Sequence, residues 1–169
     1  MATNLQFIKS ASGSSVSSLS ITGFTTEYDV YAIWTPTLVQ DGNNDIEARF
    51  VDSGGNIITA SEYSYACLSM NAGGAFSDVK STSSDRIENV GVNDQNETFG
   101  VGSTTYIYNP ADSSSFTFLT HQSSGMRDNG QLRGYKTSAV HKVAEEITGY
   151  NIFGLSGDIT ATMILYGVK

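Results

Sequence analysis

The chain is poor in the residues that most often carry chemistry. Its 169 residues include one cysteine, two prolines and two histidines. A single thiol, Cys67, can form no internal disulfide and no cysteine zinc cluster. His121 and His141 are too few for a histidine-rich metal site or a proton shuttle. Lysine and arginine number 9 against 17 acidic residues, a formal net charge of -8. A polyanion or an anionic membrane surface meets a repelling field on such a molecule, so neither nucleic acid nor a membrane is expected as a partner. Charged residues of both signs reach only 15%, well under the ~25% of an average domain. No apolar run approaches the ~20 residues of a membrane helix. The opening residues, MATNLQFIK, show no basic leader ahead of an apolar stretch.

What the chain has in quantity is hydroxyl groups and small residues: 23 serines, 17 threonines and 17 glycines. A linker can share that composition, but nine tyrosines, eight phenylalanines and Trp34 are spread along the whole length. Thr, Tyr, Phe, Val and Ile sit well on a pleated sheet. Alternation with a period of two marks strands over residues 5–10, 16–22, 28–34, 46–51 and 63–70. It returns over 105–108, 115–121, 132–138, 147–153 and 159–166. In 28–34 both faces are apolar, Ala32 and Trp34 against Tyr31 and Ile33, which predicts a central strand followed by Pro36. In 63–70, Tyr65 and Cys67 share one face and Ala66, Leu68 and Met70 the other. Residues 71–102 read as long loops with one or two short strands, 140–146 as the one plausible helical turn, and 154–158 as a hairpin turn.

These patterns predict an all-β fold: one antiparallel β-sandwich or barrel domain over residues 1–169, with about eight to ten strands. Residues 1–22 are a candidate N-terminal arm. The tract ASGSS at 11–15 is flexible enough for the first strand to cross to a neighbouring subunit.

The search for chemistry yields no catalytic, cofactor or metal site. Asp41, Asn43 and Asp45 alternate oxygen ligands as calcium loops do, but Ile46 and Asp52 occupy the positions that need glycine and glutamate. A solvated turn fits better. Ser156 stands in GLSGD, without the second glycine or the strand–turn–helix setting of a nucleophile elbow. His141 and Glu145, four apart with no second histidine, read as surface residues, and Glu146 would point away from Glu145 in a strand. Cys67 reads as an inert core thiol. Asn96–Thr98 matches a glycosylation acceptor without a secretory context to use it.

The stretch RFVDSGGNIITASEYSYACLSM (residues 49–70) and the terminus ILYGVK (164–169) resemble small β-sandwich virion proteins of tailed bacteriophages, especially those of marine bacteria. The Leu-containing first strand and serine-rich second strand of residues 5–21 are similar too. The resemblance implies a jelly-roll-like β-sandwich and a non-enzymatic virion surface protein, an accessory or decoration subunit on the capsid or the neck and tail. It implies other virion proteins as partners and a homo-oligomer, with a trimer among the candidates. The alternative is a tail-fibre or receptor-binding module for a bacterial surface glycan. No cofactor comes with either.

Overall fold

The computed structural model describes residues 4–42, 45–74, 76–92 and 100–169. They form twelve strands in two antiparallel sheets, with no helix among the described residues. Strands β1 (Leu5–Val16), β2 (Ser18–Thr22), β3 (Val30–Gln40) and β4 (Ile46–Asp52) alternate between the sheets. The pair β5 (Tyr63–Asn71) and β6 (Ser77–Ser84) stays in the first sheet, and β7 (Ile87–Gly91) returns to the second. Strands β8 (Val101–Tyr108), β9 (Thr117–Met126) and β10 (Leu132–His141) lie in the first sheet, β11 (Ile147–Gly154) in the second and β12 (Ile159–Val168) in the first.

The large sheet has the order β1-β12-β3-β8-β9-β10-β5-β6 and the small one β2-β11-β4-β7. Without the pairs β5–β6 and β9–β10, the order β1-β12-β3-β8 faces β2-β11-β4-β7. That is the double Greek key of a jelly roll. The two added pairs extend one sheet only, so the large sheet outgrows the layer that covers it.

Central strands are apolar on both faces, as β3 shows. Tyr31 and Ile33 are fully buried between the sheets, while Trp34 stands on the outer face. Between the layers pack Phe50 and Ile46 from β4, Tyr150 from β11, Leu165 and Met163 from β12, and Tyr63 from β5. At Gly167 an added Cβ would lie 2.6 Å from the Tyr28 ring, so glycine lets that ring close the end of the core. The Tyr63 hydroxyl accepts from the Phe50 N–H at 3.0 Å and donates to the Ile58 carbonyl at 3.2 Å, tying the extended half of the large sheet to the small sheet. Tyr63→Phe leaves both buried backbone groups short of a partner. It is expected to destabilise by about 1–3 kcal/mol, read as a lower urea midpoint at unchanged m-value.

Several sequence expectations are corrected. The strands number twelve rather than eight to ten, and the one or two short strands expected within 71–102 are β6 and β7. β6 is an exposed edge strand without alternation, and β7 is interrupted by Asn89 at φ 60, so neither carries a period-two signal. Residues 142–146 are not helical: β10 runs on to His141. Pro36 lies inside β3 rather than after it, at a register shift against β8 between Thr35 and Leu38, where no ladder donor is required. Residues 154–158 do not close a hairpin, because β11 pairs with β2 and β4 while β12 pairs with β1 and β3. The turn instead carries the chain across the gap between the sheets. The tract 11–15 is strand rather than flexible linker: it belongs to β1, with Ala11, Ser12 and Gly13 opposite Met163, Thr162 and Ala161.

Candidate functional site

The large sheet exposes an outer face that no other layer covers among the described residues. Register places Phe7, Tyr166, Ala32 and Tyr106 side by side across β1, β12, β3 and β8. One step along the strands, Trp34 packs on Tyr166 at 4.7 Å between ring centroids, and Phe7 meets the same ring edge-on at 6.1 Å. This half of the face is an aromatic ridge. Beyond Tyr106 the same row continues through Thr120, Ser138 and Ala66 to Lys80 on β6. These smaller side chains floor two adjoining depressions of ≈ 660 Å³ and ≈ 900 Å³. Tyr106, Gln122, Lys136 and Leu68 line the first, and Phe118 and Lys80 the second.

Charge is scarce here. Among the described residues, Asp78 is the one acidic side chain in the strands of the large sheet, and Lys80 holds it in an ion pair at 2.8 Å. That pair keeps the Asp78 carboxyl below its ordinary pKa, chiefly through its hydrogen bond with Lys80. The face offers stacking, apolar contact and hydroxyl or amide hydrogen bonds.

The residues singled out in the sequence lie elsewhere. His141 is fully buried, which corrects the expectation of a surface residue. Its Nε2 stands 3.2 Å from Glu62 and 3.5 Å from Glu145, and the three donor atoms lie within 4.8 Å of one another. Metal-bound imidazoles donate their far N–H to an acceptor, whereas the Nδ1 of His141 has no hydrogen-bond partner and its ring packs on Phe50 and Tyr63. The trio therefore acts better as a clamp joining the end of β10 to the segment before β5 than as a metal site. His141 stands directly opposite Tyr63 in that register. Glu146 is exposed.

His121 lies between the sheets, its Nδ1 at 2.8 Å from the Thr105 hydroxyl. Burial pushes its pKa down to about 3, so the ring is neutral. Cys67 is buried on the inner face of β5, and burial raises its thiol pKa. The Asp41 carboxylate accepts the Asp158 N–H at 2.6 Å, fastening the crossing turn; Asn43 lies outside the described residues. Ser156 is in that same turn, where its carbonyl accepts the Gln40 amide at 2.6 Å. The motif Asn96–Thr98 is also outside the described residues.

One charged network sits on the small sheet. The Glu47 carboxylate is 2% exposed and touches the Arg86 guanidinium, which also meets Asp85 at 2.7 Å. Arg49 holds Asp85 at 2.5 Å and lies 4.6 Å from the centre of the Phe153 ring. Burial pushes the Glu47 pKa up to about 7, and the neighbouring Arg86 offsets only part of that.

No family model matches the chain, and no curated protein does. Similarities to solved structures are faint. A fructofuranosidase from Schwanniomyces occidentalis, complexed with fructosylnystose, aligns over 100% of this chain and 35% of its own at 6% identity and a TM-score of 0.26. The chain thus spans about a third of that protein's length. The C2A domain of a plant extended synaptotagmin 1 aligns over 85% of this chain and 98% of its own, at 8% identity and a TM-score of 0.19. The CspB protease of Clostridium perfringens aligns over 91% and 26%, at 8% identity and 0.17. Scores this low carry no argument about function.

Proposed function

We propose that this chain is a non-enzymatic structural protein of a bacteriophage virion surface, an accessory or decoration subunit bound to the capsid or to the neck and tail. The observation that carries the reading is the outer face of the large sheet, wide, aromatic along one half and with a single acidic side chain among the described residues, Asp78, which Lys80 pairs. Soluble monomers seldom expose a contiguous apolar patch beyond a few hundred Å², and larger ones mark interaction surfaces. The sequence resemblance to phage β-sandwich proteins supplies the setting. Both imidazoles are buried, which also favours docking over acid–base chemistry at the surface.

The test is the chain's place in purified particles, by quantitative mass spectrometry and cryo-electron microscopy. A stoichiometry following the capsid lattice or the tail's rotational symmetry is expected. Absence from washed particles overturns the reading.

The depressions favour a second reading, recognition of a host-surface glycan. Tyr106 offers a ring for a sugar face, and Gln122, Lys136 and Asp78 offer hydrogen-bonding groups beside it. Saturable adsorption to host cells, lost in Tyr106→Ala, selects this reading; its absence selects packing.

A further inference from the structure

We infer that the outer face of the large sheet is covered by a second copy of this chain, the aromatic ridge of one copy seated in the trough of the next. The inference rests on reading that face as a docking surface, and it names the occupant.

Relief is the first argument. The midline of the eight-stranded order falls between β8 and β9. On one side Phe7, Tyr166 and Trp34 project from β1, β12 and β3. On the other, Ala66, Thr120 and Ser138 leave the depressions open. A two-fold axis along the strands at this midline lays each ridge over the other copy's trough. The face is thus complementary to itself.

Charge is the second argument. Two molecules of net charge -8 repel unless they meet through surfaces that keep their acids apart. This face has its one strand acid, Asp78, already paired with Lys80, and Lys136 adds a cation. A basic partner would instead be drawn to the acid-bearing turns and to the small sheet, and a polyanion would be repelled by the molecule as a whole.

Area is the third. Eight strands ~4.8 Å apart span roughly 34 Å, and four outward residues along each cover roughly 20 Å. The product, on the order of 700 Å², is close to the ~800 Å² per partner of a stable interface.

Sedimentation velocity of the full chain at micromolar concentration tests this. Wild type is expected to sediment as a multiple of 18.1 kDa. Trp34→Glu, on the ridge, and Ser138→Arg, in the trough, are each expected to reduce it to 18.1 kDa with an unchanged far-ultraviolet spectrum. Leu155→Glu makes the same change of charge in the exposed crossing turn and is expected to leave assembly intact. Should Trp34→Glu fail to fold, Ser138→Arg decides. A monomeric wild type overturns the inference, as does an oligomer that survives the deciding substitutions. Neither outcome touches the location in particles, so the two proposals fail separately.

Discussion

Arg86→Met is expected to destabilise the chain by about 3–5 kcal/mol near neutral pH, the cost of leaving a buried charge without its partner. The guanidinium touches Glu47, meets Asp85 at 2.7 Å and lies 3.8 Å from Glu88, so its removal takes the cation from Glu47 and Glu88, while Asp85 keeps Arg49 at 2.5 Å. Glu47 bears most of the penalty, being 2% exposed where Asp85 and Glu88 keep more contact with water. The effect depends on pH, with a definite sign. Glu47 titrates at about 7 in the fold against 4.5 when free. Its contribution to stability is therefore fully present below pH 4.5 and is lost as pH rises to 7. Without Arg86 the folded value climbs further and the loss extends above pH 7. Wild type and variant should thus differ least near pH 4.5 and most near pH 8 in urea titrations. Glu47→Gln removes the buried charge, so the double variant should be more stable than Arg86→Met alone. A cost below about 1 kcal/mol at pH 8 would show that water reaches the network and screens it.

Part of this molecule was legible in its sequence. Alternation identified the two faces of β3 and of β5 correctly, because each strand's side chains obey a period of two whatever lies beside it. The buried placement of Tyr65 and Cys67 and the exposure of Ala66 and Leu68 follow from that rule. The aromatic outer face of the large sheet was not legible. It is assembled from Phe7 through Tyr166, and alternation within a strand says nothing about which strand lies next to it. The crossing turn at 154–158 shows the same limit: glycine and aspartate suit a chain reversal equally when it closes a hairpin and when it changes sheets. His141 misled for a related reason. A histidine near two glutamates looks solvated, and the buried position became visible only once β10 was paired with β5 across Tyr63.

The second large effect concerns acid. Wild type is expected to lose stability steeply below about pH 4.5, and His121→Gln to lose markedly less. His121 titrates at about 3 in the fold against 6.5 when free, because burial between the sheets penalises the imidazolium. Its contribution is whole above pH 6.5 and is lost as pH falls towards 3, at about 1.4 kcal/mol per pH unit. Glu47 works in the opposite sense between 7 and 4.5, so the two slopes nearly cancel from 6.5 to 4.5. Below 4.5 Glu47 is protonated whether folded or not, and His121 acts unopposed. Asp52, held low by the Asn56 N–H, and Asp112, held low by Ser114, add to the loss only below their ordinary value of 3.8. Glutamine can still hydrogen-bond Thr105 but carries no proton to gain on unfolding. His121→Gln should therefore be less stable than wild type near pH 8, through imperfect packing, and should close that gap by pH 4. Urea midpoints across this range decide it. Parallel curves for wild type and variant would mean that the ring is protonated inside the fold, and the neutral imidazole between the sheets would have to be abandoned.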